Sequence, residues 1–256
     1  MIKLHGNDPY TVVLLHGGPG ALGSLESAAT ELSKRWGVIE HLQIQYSIDE
    51  LISELHNDLE NFRDCPLTLI GHSWGAWLSI LYAAKYSEDV KQLILVGCPP
   101  FEKRYTPLIL EKRLSRLSPH DKDHFIRWLE EMDSGSISDE NFKNLQSLLD
   151  ETENCQTESN DHLEFDSLIY AKIWEEAESL RDSNALSSIL SSINVPVCLI
   201  HGDCDPHPIS GVIKPLKSRN VNFELHLLSN CGHYPFREKY AKDEFYRIIN
   251  DAVNSS

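Results

Sequence analysis

Leu69-Ile70-Gly71-His72-Ser73-Trp74-Gly75-Ala76-Trp77 is the stretch whose reading decides the fold. It holds the pattern G-x-S-x-G with Ser73 at its centre, and the flanks give the pattern its weight. Pro66-Leu67-Thr68-Leu69-Ile70 is a short apolar run with strand character. Ala76 to Ala84 is apolar almost all round, as a buried helix is. A strand that turns sharply into a helix at a serine is a nucleophile elbow. The two glycines belong to that geometry, because side chains at Gly71 and Gly75 would collide with the neighbouring strand and helix. The helix N-terminus then directs its free N–H groups at the serine.

Working outward, Thr11-Val12-Val13-Leu14-Leu15 reads as a buried strand, followed by the loop His16-Gly17-Gly18-Pro19-Gly20. Leu22 to Trp36 reads as a helix and Gly37-Val38-Ile39 as a short strand. Ser47 and Glu50 form a capping box. Behind it Ile48, Leu51, Ile52, Leu55, Leu59 and Phe62 fall on one helical face. Lys91 to Gly97 is another strand, closed by Pro99-Pro100. From Phe101 to Ile193 strand signals vanish and the segment is Leu-rich, charged and helical, basic over Lys103–Arg127 and acidic over Glu130–Asp182. Strand character returns at Val195–Ile200 and Asn222–Leu228, and Lys239–Val253 closes the chain as a helix.

Strands alternating with helices imply an α/β fold with a mostly parallel central sheet and helices on both faces. The expected division is a core of residues 1–100 and 194–256, with 101–193 inserted as a helical cap over the strand C-termini, where ligands bind in such sheets.

At 256 residues and 41% hydrophobic content the chain can bury a full core. A net charge of −16 disfavours nucleic acid and anionic membrane surfaces as partners. No apolar run approaches the ~20 residues of a spanning helix, and the first ten residues lack a signal-peptide core. The expectation is a cytoplasmic protein acting on a small molecule or short peptide. The six cysteines form no CxxC pair and read as reduced thiols.

A serine hydroxyl becomes a nucleophile only with a base in reach and a carboxylate holding that base. In the α/β-hydrolase arrangement the chain order is serine, acid, histidine. His201-Gly202-Asp203-Cys204-Asp205-Pro206 and Cys231-Gly232-His233-Tyr234-Pro235 both follow strands, so both loops lie at the same edge as Ser73. Ser73, Asp205 and His233 are the candidate triad, with Asp203 the competing acid. The oxyanion donors would be the backbone N–H groups of Trp74 and Gly18. His16 reads as a structural loop residue, His72 as packing beside Ser73, Trp77 as core and Trp74 as a wall of an acyl pocket. Cys204 and Cys231 each lie within two residues of a candidate triad member, so they are either two separate buried thiols or a close pair beneath these loops.

The chain resembles the α/β-hydrolase superfamily, and His16-Gly17-Gly18-Pro19-Gly20 with Gly71-His72-Ser73-Trp74-Gly75 resembles its proline iminopeptidase branch. The resemblance covers the chain outside the cap. It implies a serine hydrolase with a helical cap, no cofactor and no metal, removing an N-terminal residue from peptides, amides or arylamides. After the second strand the family carries Asp-Gln-Arg-Gly, where Ile39-Glu40-His41-Leu42 stands here, and the N-terminal strands are cut short, the first clear one beginning at Thr11. These departures bear on the substrate rather than on the chemistry, so a carboxylesterase acting on small acyl esters is the alternative. Two further readings are a metal site on His201, Asp203, Asp205 and His207, against which Gly202, Pro206 and Pro208 break the strand, and a binding module with the triad unused.

Overall fold

The computed structural model describes residues 1–158 and 164–255. The chain opens with β1 (Ile2–His5), β2 (Tyr10–Leu15), β3 (Ala21–Leu22), α1 (Glu26–Leu32), β4 (Gly37–His41) and α2 (Ile48–Asp58). The elbow strand β5 (Leu67–His72), the elbow helix α3 (Trp74–Lys85) and β6 (Val90–Val96) follow. Between β6 and the next strand of the main sheet come α4 (Thr106–Arg116), α5 (Pro119–Asp133), α6 (Asp139–Glu153), β7 (Glu164–Phe165), α7 (Ser167–Asp182) and α8 (Ala185–Ile189). The chain ends with β8 (Val197–Gly202), α9 (Ser210–Ser218), β9 (Phe223–Leu228) and α10 (Lys242–Ser255).

The main sheet runs β1-β4-β2-β5-β6-β8-β9, parallel except for β1. Because side chains alternate along a strand, each strand feeds two cores. Val13, Leu15, Leu69, Leu93 and Leu199 join α2, α3, α8 and α9 on one face. Val12, Leu14, Ile70, Ile94 and Ile200 join α1 and α10 on the other. Burial on both faces explains why these strands read as continuous apolar runs. The helical insert has a small core of its own around Leu117, Phe125, Met132 and Leu145. Its α7 faces the main core with Ile169, Ile173 and Ala177.

The capping box forms, with a variation. Ser47 Oγ accepts the Glu50 N–H at 3.3 Å, but its hydroxyl donates to Glu50 Oε2 at 2.9 Å rather than leaving that carboxylate to the Ser47 amide. Other expectations need correction. The helix read over Leu22–Trp36 is confined to Glu26–Leu32. Gly23 adopts φ 81° and turns the chain, so Ala21–Leu22 is free to pair with β7 in a two-residue ladder. A strand does precede Thr11: β1 pairs antiparallel with β4 and is half exposed, so it carries little apolar signal. Helix α9 has Pro215 inside it, which breaks its helical signal in the sequence. His41 is fully buried, with the Asp58 carboxylate 3.5 Å from its Nε2. His162 lies outside the described residues. No described helix is long and apolar enough to cross a membrane.

Candidate active site

Ser73 sits between β5 and α3 with φ 52° and ψ −121°. An L-residue in that region is strained and persists only where its surroundings fix it. They do: the Ser73 N–H donates to Val96 O at 2.9 Å, and a Cβ at Gly75 would lie 2.0 Å from Leu15 O. The elbow helix is thus pressed against the end of β2. A Cβ at Gly17 would lie 2.8 Å from Ser73 Cβ, so the glycine loop after β2 runs directly beside the serine.

That loop is held by a small polar network. His16 Nδ1 donates to Gly17 O at 3.0 Å, and its Nε2 accepts the Gln43 N–H at 3.2 Å. The Gln43 side chain donates to His16 O at 3.0 Å and accepts the Trp74 indole N–H at 2.7 Å. Burial lowers the His16 pKa to about 4, which keeps the ring neutral and able to play both parts. His16 is structural, as expected. Trp74 is not a pocket wall: its ring is 1% exposed and spent on Gln43. Among the described residues the backbone N–H groups of Gly18 and Trp74 make no hydrogen bond, so both are free to serve a ligand oxygen.

Asp205 and His233 come together from the loops after β8 and β9. Their Oδ2 and Nδ1 atoms are 2.8 Å apart and both side chains are buried. Burial opposes ionisation of Asp205, but the surrounding His233, His201 and His207 outweigh it and hold the carboxyl well below its usual range. Burial likewise opposes charge on His233, and Asp205 and Glu153 more than offset it, so its pKa is raised. Asp203 is exposed and its Oδ1 accepts the Cys231 N–H at 3.2 Å, which fixes the loop rather than the histidine.

Ser73 and His233 flank the same corner. His72 Nε2 donates to His233 O at 2.9 Å, and a Cβ at Gly97 would stand 3.0 Å from His233 Nδ1. Ser73 Oγ and His233 Nε2 make no hydrogen bond to each other or to other described residues. Contacts of this kind tighten when substrate arrives.

His207 was visible in the sequence only as a metal candidate. Its backbone N–H and its Nδ1 both reach Asp205 Oδ1 at 2.8 Å, and its ring stacks on His233 with centroids 4.3 Å apart. Burial and the charge of His233 lower its pKa to about 4. The four-residue metal set does not assemble, because Asp203 turns to Cys231 and His201 Nε2 donates to His207 O. Asp205, His207 and His233 do place ligand atoms within 4.8 Å of one another, but each imidazole Nδ1 already meets its own carboxylate oxygen. The donor set is a histidine–carboxylate–histidine array satisfied by its own protons.

The helical insert grips these loops. Lys112 Nζ donates to Asp205 O at 2.6 Å, Arg116 donates to Cys204 O and Thr152 O, and Arg113 pairs with the buried Glu153. The His233 N–H donates to Glu153 O at 2.8 Å, and the Asp166 N–H to Gly20 O at 3.0 Å. No sequence spacing announces contacts that join residues so far apart. The Cys204 and Cys231 backbones join through a 2.8 Å bond from Cys204 N–H to Cys231 O, while the Cys204 thiol pairs with Cys155, and all three are free thiols.

A doubly covered parallel sheet, a strained serine at a strand–helix elbow and an aspartate–histidine pair at the same edge define an α/β-hydrolase. More narrowly, the chain belongs to the serine aminopeptidase S33 family, whose model matches residues 33–240. It is 24% identical over 270 residues to a proline iminopeptidase of Lactobacillus helveticus (strain DPC 4571), covering 94% of this chain and 88% of the relative. It is 29% identical over 205 residues to the Homo sapiens monoacylglycerol lipase ABHD6, covering 77% of this chain and 58% of that one. Among solved structures, VinJ superposes with a TM-score of 0.75 at 19% identity, over 99% of this chain and 94% of that one.

Proposed function

We propose that the protein is a serine hydrolase that removes an N-terminal residue from small peptides or amides through an acyl-enzyme. Ser73 is the nucleophile, His233 the base and Asp205 its orienter. The observation that carries this reading is the 2.8 Å Asp205–His233 contact beside the strained Ser73. Ser73 Oγ attacks the scissile carbonyl while His233 Nε2 takes its proton. The oxyanion is received by the N–H groups of Gly18 and Trp74. Collapse expels the amine, which takes the proton back from His233, and water then cleaves the acyl-enzyme by the same route. Residues 101–193 act as a cap on a core of 1–100 and 194–256.

An aminopeptidase must also hold a free α-ammonium, and a partly dry pocket then requires a carboxylate. The acidic cap offers carboxylates for that role, Asp133 among them. Asp133 is an exposed residue, and partial desolvation of its carboxyl together with the neighbouring Glu178 pushes its pKa up to about 6. It accepts the Tyr170 hydroxyl at 3.3 Å, and the Tyr170 backbone abuts Gly20 of the glycine loop. The similarity to a monoacylglycerol lipase favours a second reading, an esterase of small acyl groups. A proline arylamide with a free amine, its N-acetyl counterpart and short p-nitrophenyl esters separate the two. The peptidase reading expects turnover of the free amine, a loss of about 100-fold or more in kcat/KM on acetylation, and no turnover by Ser73→Ala. Ester turnover with both amides inert replaces it by the esterase reading.

A further inference from the structure

We propose that Glu238 is a positioning residue for the catalytic base, acting by fixing the peptide that carries His233. The proposal rests on the reading of His233 as that base. Glu238 is fully buried, and its carboxylate is filled by backbone donors. Oε1 accepts the N–H of Gly232 at 2.8 Å and of Cys155 at 2.7 Å, and Oε2 accepts that of Gln156 at 2.8 Å. An ionised carboxylate is acceptor only, so three N–H groups can converge on it without conflict. Bonds to a charged acceptor are also stronger than neutral ones.

The consequence falls on His233. Its own N–H goes to Glu153 O, and the preceding N–H goes to Glu238 six residues on in the same loop, whose carboxylate is in turn fixed to the insert by the Cys155 and Gln156 N–H groups. There is no slack at the joint: a Cβ at Gly232 would stand 2.1 Å from Glu153 O and 2.8 Å from Glu238 Oε1. The side chain is then held at Nδ1 by Asp205, and the ring's place is set from both ends. Glu238 is not what keeps the two segments together. The Lys239 N–H to Gln156 O bond at 2.8 Å and the Glu158 N–H to Arg237 O bond at 3.0 Å pair them independently. Replacing the carboxylate therefore leaves the segments joined and releases Gly232.

The test is Glu238→Gln in the full chain. Glutamine keeps the shape but turns one acceptor oxygen into an NH2 group that faces a backbone N–H. The expected result is a fall of about 10- to 100-fold in kcat, with KM within about threefold, since small misplacement of a reacting group carries losses of that order. Fluorophosphonate labelling of Ser73 should slow in parallel. The far-downfield proton resonance of the Asp205–His233 contact should shift or broaden, and this is read without substrate. Lys242→Ala is the control: it removes the exposed Lys242–Glu158 ion pair between the same two segments and should leave kcat within about twofold. If Glu238→Gln does not accumulate as folded protein, Glu238→Asp takes its place with the same kcat-against-KM split expected. Folded Glu238→Gln with kcat, labelling rate and downfield proton unchanged overturns the proposal, as does Lys242→Ala lowering kcat equally. Failure of the triad reading is separate, because Ser73→Ala would then keep its turnover whatever Glu238→Gln does.

Discussion

Asp205→Asn isolates what the buried carboxylate contributes. The wild-type side chain meets the His207 N–H and Nδ1–H on one oxygen and His233 Nδ1–H on the other. An asparagine has one acceptor. Turning its oxygen to His207 satisfies two donors and leaves its NH2 facing His233; the opposite orientation satisfies one donor and confronts two. The first is favoured, and there His233 must accept at Nδ1 and carry its proton on Nε2. That tautomer cannot take a proton from Ser73. The expected loss in kcat is about 10³- to 10⁴-fold, or roughly 4–5 kcal/mol of barrier. Saturation kinetics on an arylamide or p-nitrophenyl ester, with melting temperature as a check on folding, measures it. A folded Asp205→Asn within about tenfold of wild type, with Asp203→Asn the damaging change, refutes the assignment.

Activity should rise with pH through a value above the ordinary 6.5 of histidine, because the raised pKa of His233 keeps the base protonated until then; a limb at or below 6.5 in kcat/KM counts against it. Stability should fall as pH drops from 6.5 toward 4. His16 and His207 are depressed to about 4 by burial, so the unfolded chain binds more protons in that window, and full protonation of the unfolded form costs roughly 3 kcal/mol per group. Urea melts at pH 7 and pH 4.5 test this; equal midpoints contradict it. Gly75→Ala drives a Cβ to 2.0 Å from Leu15 O, against backbone that cannot swing away. It should cost about 3 kcal/mol or more and lower the melting temperature by roughly 6–12 °C, and an unchanged melt would show that the elbow packs more loosely.

The core was legible because its signals are local. A strand buried on both faces is an apolar run, and the elbow, the capping box and the two short loops around Asp205 and His233 each sit within a short window. What escaped depends on distance or on weak elements. β1 is short and at an edge, and α9 hides behind Pro215. Asp203 and Asp205 are equivalent in sequence, and only folding shows that one caps Cys231 while the other meets two histidines. Trp74 looks like a free aromatic until Gln43, 31 residues away, takes its N–H. Glu153 and Glu238 resemble many other acidic residues, since what marks them is the backbone they touch.

The bonds between the helical insert and the loops beneath it bear on how such enzymes can be recombined. Joined to the sheet between β6 and β8, the insert looks like a module to be exchanged for a relative's to change specificity. Yet Lys112 holds the acid loop, Glu153 O the histidine loop, and the Asp166 N–H the glycine loop. A chimera spliced at residues 101 and 193 would remove a support from each of the three at once. Grafts that keep 112–116, 152–158 and 164–166 and exchange only the α5 side would leave all three supports in place.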